Sequence, residues 1–95
     1  MGEANSLINL GNTYGTLGDN RKAIDFFQQS LAINKEIPYP LGQAQSLGNL
    51  GIAYHNLGYN RKAIDFYQQS LAIFKQIRNP LGQANSLMNQ GDAYG

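Results

Sequence analysis

The chain has 95 residues, which is one domain or part of one, and folding at this length removes only about 60–65 % of the unfolded surface from water. It has no Cys, so disulfide-stapled scaffolds, thiolate chemistry and Cys-containing zinc sites are excluded. Seven Lys+Arg against six Asp+Glu leave a net charge of +1, with 14 % of residues charged and 42 % hydrophobic, which excludes a disordered tail and a charge-driven nucleic-acid footprint.

The first predicted helix runs from about Glu3 to Leu17, where Leu7, Leu10, Tyr14 and Leu17 recur at spacings of three and four as one inward face. Gly18 ends it as a left-handed residue, and Asp19 and Asn20 are both N-cap candidates for the next helix. That helix covers about Arg21 to Ile37, with Ala23, Ile24, Phe27, Ser30, Leu31 and Asn34 inward or half-inward and Arg21 placed to pair with Asp25. Pro38 and Pro40 stop it, and Pro40 suits the first turn of a third helix, about Pro40–Leu57, which breaks at Gly58. A fourth helix follows at about Arg61–Ile77, then Asn79 as N-cap and a fifth helix at about Pro80–Tyr94. No strand pattern occurs.

The plan repeats because the sequence does. Shifted by 40 residues, 27 of 40 positions are identical between the first two units, and a third copy starts at Gln83 and runs to Gly95. The chain is read as a single unit of residues 1–95, with repeat 1 at about 3–42, repeat 2 at about 43–82 and a partial repeat 3, first helix only, at about 83–95.

Leu7-x2-Leu10-Gly11-x2-Tyr14 followed by Ala23-x3-Phe27, and Leu47-x2-Leu50-Gly51-x2-Tyr54 followed by Ala63-x3-Tyr67, resemble the tetratricopeptide repeat. Leu stands where that pattern usually has Trp, Ser30 where it has a small Ala, and Lys35 and Lys75 where it has its closing Pro. The second helix therefore runs on, and the period lengthens as in the repeats of spindle-orientation adaptors and kinesin light chains. The resemblance implies an all-α, antiparallel helical-hairpin solenoid of five helices in a right-handed superhelix. It also implies that mid-helix Gly11 and Gly51 are close-approach points between paired helices.

Divergence between the copies marks a candidate site. In the first helices, positions 5/45/85, 8/48/88, 12/52/92, 15/55/95 and 16/56 differ, and they share one stripe about 100° wide opposite the repeated leucines. In the resembled family this stripe lines the concave groove that takes a peptide; drift on a solvated face is the other reading. The candidate groove residues are Asn5, Ile8, Asn9, Asn12 and Thr16; Gln45, Asn49, Ile52, His55 and Asn56; and Asn85, Met88, Asn89 and Asp92. The set is amide-rich and nearly uncharged. Amides both donate to and accept from an extended backbone, so Asn9, Asn49 and Asn89 at repeat spacing are read either as a ladder along a peptide or as bridges between helices. Carboxylate capture, as some family members perform it, would need cations at Ile8, Asn85 and Asn89 beside Asn12 and Asn49, and none is present.

Other chemistry is not indicated. His55 is the only His, none of the six acids forms an evident close pair, and no Ser has a recognisable base. No catalytic residue, metal ligand or cofactor is assigned, and the chain is read as a non-enzyme. Arg21-Lys22 and Arg61-Lys62 read as solvated helix starts, so no nucleic-acid partner is expected. No apolar run approaches the roughly 20 residues that span a bilayer, and no leader pattern opens the chain. The expected partner is a protein or peptide in the cytoplasm, with no membrane. Self-association through the repeat ends, or by hairpin swapping at Gly18 or Gly58, is the alternative. Gln90 and Asp92 read as polar changes that make the last helix a solvating cap.

Overall fold

A computed structural model describes residues 2–94, so Met1 and Gly95, including the final member of the 15/55/95 set, lie outside the described residues. Five helices follow one another: α1 (Gly2–Thr16), α2 (Asn20–Glu36), α3 (Pro40–Asn56), α4 (Asn60–Gln76) and α5 (Pro80–Tyr94). Each predicted helix is present within a residue of its expected ends. Gly18 and Gly58 both take φ +88, a conformation that strains any residue with a Cβ, and so they turn the chain between hairpin partners. Of the two cap candidates, Asp19 is the one that acts, its carboxylate accepting from the Lys22 N–H at 3.1 Å. Asn79 caps α5 in the same manner, accepting from the Gly82 N–H at 2.9 Å.

The two turns between repeats take different backbone paths. Arg78 holds a positive φ of 54, at the position where repeat 1 has Pro38. A proline ring locks φ near −65°, so that conformation is closed to the first turn. Both turns still return an N–H to the preceding helix, Tyr39 to the Asn34 carbonyl at 2.8 Å and Asn79 to the Phe74 carbonyl at 2.9 Å.

Every helix packs on its sequence neighbours. The first helices also touch, α1 with α3 and α3 with α5, whereas α2 and α4 do not. Close first helices and splayed second helices curve the array, so α1, α3 and α5 line its inner side. The core is a row of interhelical contacts: Ala23, Ile24 and Phe27 meet Leu50 and Ala53, and Ala63 and Tyr67 meet Ala93. The six residues expected to point inward on α2 are all buried or half-buried.

The expectation of an inward apolar face holds fully only for the middle unit. Leu50 is 1 % exposed, but its counterpart Leu10 is 44 % exposed and Leu17 is 74 % exposed. Leu50 is covered by Ala23, Ile24 and Phe27 of α2, with Leu57 packed beside them, and no described helix stands before α1 to do the same for Leu10. The expected Arg21–Asp25 pair is not formed within 4.0 Å. The neighbouring cation is used instead: the Lys22 ammonium lies 5.1 Å from the centre of the Tyr14 ring, which stacks on Phe26 at 5.5 Å. Lys62, Tyr54 and Phe66 repeat the arrangement at 5.0 and 5.4 Å.

Candidate functional site

Two hollows open on the inner side. The first, about 140 Å³, lies between α1, the start of α2 and α3; Ala23, Phe27, Ile52 and Ala53 give it apolar walls, and Asn12, Asn20, Asn49 and Asn56 give it amides. The second, about 230 Å³, lies between α3 and α5 and is lined by Gln45, Asn49, Ile52, Asn85, Met88 and Asn89 among others, with Ser70 and Phe74 of α4 behind. Asn49 and Ile52 belong to both hollows, so they form the wall between them. No Lys, Arg, Asp or Glu lines either one.

Eight of the fourteen candidate residues thus come together: Asn12, Gln45, Asn49, Ile52, Asn56, Asn85, Met88 and Asn89. Asn5, Asn9 and Thr16 are exposed and Ile8 half-buried, but none of the four lines a hollow. Thr16 turns its hydroxyl back to donate to the Asn12 carbonyl at 3.0 Å. His55 is also off the hollows. It is half-buried, with Nδ1 2.9 Å from Asn60 Oδ1, so it bridges α3 to the start of α4. Asp92 is exposed and acts on Tyr67, whose phenol is pushed up from 10.0 to about 12, first by burial and second by the Asp92 charge.

The amides divide into two kinds. Asn56 donates to Asn20 Oδ1 at 3.3 Å and closes one end of the first hollow, and Asn34 Nδ2 donates to Ser46 Oγ at 3.4 Å inside the α2–α3 junction. Asn9, Asn49 and Asn89 are not among the amides that cross between helices, so the bridging reading of this trio finds no bond in the structure. Asn49 and Asn89 face the second hollow, and Asn9 stands apart on α1.

Gly11, Gly15, Asn20, Ala23, Phe27 and Ala53 complete the first hollow and lie outside the candidate set. The signal for Gly15 was available. Its repeat counterpart is His55, which reaches Asn60; a Cβ at Gly15 would find only Asn20 and Ala23 within 4 Å, at 3.9 and 4.0 Å. Asn20 and Phe27 enter from α2, and stripe analysis of the first helices alone does not reach them.

A curved stack of antiparallel helical hairpins with a neutral inner hollow defines a helical-repeat scaffold. Residues 4–36 and 46–81 each match the tetratricopeptide repeat, and the chain belongs to that family. Among solved structures, the TPR domain of Arabidopsis FLU superposes with a TM-score of 0.92 over 97 % of this chain and 77 % of that one, at 24 % identity. The nearly identical TPR-like repeats assigned to a kinesin light chain of Podospora anserina superpose with a TM-score of 0.78 over 95 % of this chain and 44 % of that one, at 22 % identity. At these identities the likeness is one of fold. No curated protein sequence matches the chain.

Proposed function

We propose that this protein is a protein-interaction scaffold that holds an extended, uncharged peptide segment along α1, α3 and α5. The family mediates protein–protein interaction in general. The observation that carries it is the pair of adjoining hollows sharing Asn49 and Ile52 with no charged lining. Amide rims suit a peptide backbone, which needs a donor and an acceptor together. Apolar walls at Ile52, Phe27 and Met88 suit neutral side chains. The partner is met in the cytoplasm, and the protein has no catalytic role of its own. Among the described residues no helix is long and apolar enough to cross a membrane, and no group of three His, Cys, Asp or Glu could hold a metal.

Peptide-display selection on the wild type and on the Asn49→Ala/Asn89→Ala/Ile52→Lys variant tests the reading. Recovery of a shared, uncharged peptide pattern by the wild type alone supports it. The same peptides from both proteins, or no enriched pattern from the wild type, removes it.

Self-association through the repeat ends is the second reading. Apolar side chains left exposed at both ends favour it, Leu10 on α1 and Leu17 just after it, and Leu81, Leu87 and Tyr94 on α5. Light scattering across a hundredfold range of concentration decides it: a constant monomer mass excludes this reading.

A further inference from the structure

Two pairs of buried serines hold the same places in successive repeats and make different bonds. Ser30 of α2 and Ser46 of α3 are hydrogen-bonded through their hydroxyls at 2.9 Å. Their counterparts, Ser70 of α4 and Ser86 of α5, are 1 % and 4 % exposed, yet no bond joins them. Ser70 donates instead to the Ala44 carbonyl at 2.8 Å, and Ser86 has no hydrogen-bond partner among the described residues. The one side-chain polar atom among them that is sealed from solvent without a partner is Asn34 Oδ1, so the Ser86 oxygen keeps an open side. The space beside it is the second hollow, which both Ser70 and Ser86 line.

Gly48 leaves this floor uncovered. A Cβ there would meet only the Ser70 hydroxyl, at 3.6 Å, so glycine lets that oxygen face the hollow. Repeat 1 has Ile8 at the same position, where a side chain extends from the helix instead.

The chemistry of the floor selects what can fill it. Ser70 has committed its proton to Ala44 and offers lone pairs, whereas Ser86 also offers a proton. An aliphatic side chain would shut Ser86 away from water with no partner. A carboxylate has no proton for Ser70, an ammonium or guanidinium has no acceptor for Ser86, and no charged residue lines the hollow to offset either charge. A hydroxyl carries donor and acceptor on one atom; a primary carboxamide carries them on two, one for each serine.

We infer that the second hollow is a subsite for one carboxamide side chain, Gln or Asn, of the bound segment. Its NH2 donates to Ser70 Oγ, and its oxygen accepts from the Ser86 hydroxyl. The inference rests on the peptide reading above and adds a residue preference to it. The first hollow has a different floor, Ala23, Phe27 and Ala53, so the two take unlike side chains.

Peptide-display selection on the wild type, followed by fluorescence anisotropy of an enriched peptide, tests the subsite. Gln or Asn is expected at one fixed position of the enriched pattern. Replacing that residue by Leu is expected to weaken binding to the wild type about tenfold, the cost of an unpaired buried hydroxyl. Ser86→Ala gives up no hydrogen bond of the free protein, so it keeps the fold. Against that variant the same Leu replacement is expected to weaken binding less than about threefold, because the two changes remove one shared contact. An enriched pattern with Ser, Thr or an aliphatic residue in place of the fixed Gln or Asn overturns the subsite and leaves the groove standing. An equal Leu penalty in wild type and Ser86→Ala does the same. No enriched pattern from the wild type removes groove and subsite together.

Discussion

The Tyr67 ring lies directly against Gly51, so close that a β-carbon on that glycine would come within 2.5 Å of it. The same relationship joins Phe27 to Gly11. Both rings are buried, at 2 % and 4 % exposure, and the hairpins close around them.

Gly51→Ala is therefore destabilising although it improves helix propensity. The propensity gain is about 1 kcal/mol, and forcing a methyl into a packed ring costs about 1–3 kcal/mol. A net loss of about 1 kcal/mol or more is expected. Urea unfolding checks it, and a midpoint raised above the wild type would show that the ring moves aside freely.

Asn34 and Phe74 occupy equivalent positions above Gly42 and Gly82, and of the residues that differ between the two junctions this is the one buried in both. Asn34 is 1 % exposed and its Oδ1 has no partner, while its Nδ2 bond to Ser46 is long at 3.4 Å. An unsatisfied buried polar atom costs about 1–3 kcal/mol. Asn34→Phe, which brings the buried residue of the second junction into the first, is expected to stabilise by about 1 kcal/mol with an unchanged denaturant slope. The Ser30–Ser46 hydroxyl pair at 2.9 Å stays in place.

Tyr67 gives the fold an alkaline limit. Its phenol is raised from 10.0 to about 12 in the folded chain, so between those values the unfolded chain has lost a proton that the folded chain keeps. Stability from this group is complete below pH 10 and is lost as pH rises from 10 to 12. Urea midpoints at pH 9 and pH 11.5 are expected to differ less for Tyr67→Phe, a substitution that Phe27 already represents in repeat 1. An equal drop in both proteins would assign the limit to other groups.

Gly15 sets the size of the first hollow. Gly15→His brings the residue of repeat 2 into repeat 1, where Asn20 stands as Asn60 does beside His55. Stability is expected to change by less than about 0.5 kcal/mol, as for most partly exposed substitutions. Peptides selected by the wild-type groove are expected to bind at least tenfold more weakly. Fluorescence anisotropy measures this, and unchanged affinity would place the peptide elsewhere.

The residues that could be read in advance are those whose behaviour is local. Gly18, Gly58, Asp19, Asn79 and the prolines at 40 and 80 act on the backbone within a few residues, so helix number and ends followed from them. Repetition then paired the faces, because equivalent side chains meet equivalent neighbours. The candidate stripe reached Asn12, Asn49 and Ile52, since all first helices present one side to the inside of the curve.

Contacts between helices decided the rest. Leu10 and Leu50 are the same residue in the same local pattern, yet one is exposed and the other buried, because Ala23, Ile24 and Phe27 of α2 pack against Leu50 and no described helix does the same for Leu10. His55 left the groove because Asn60, on the next helix, offered a hydrogen bond at 2.9 Å. Arg21 and Asp25, paired by local spacing, stay apart, while Lys22 lies over the Tyr14 ring because the hairpin brings that ring within 5.1 Å. Local spacing determines which side of a helix a residue occupies; what stands opposite that side depends on the neighbouring helix, and only the packed array supplies it.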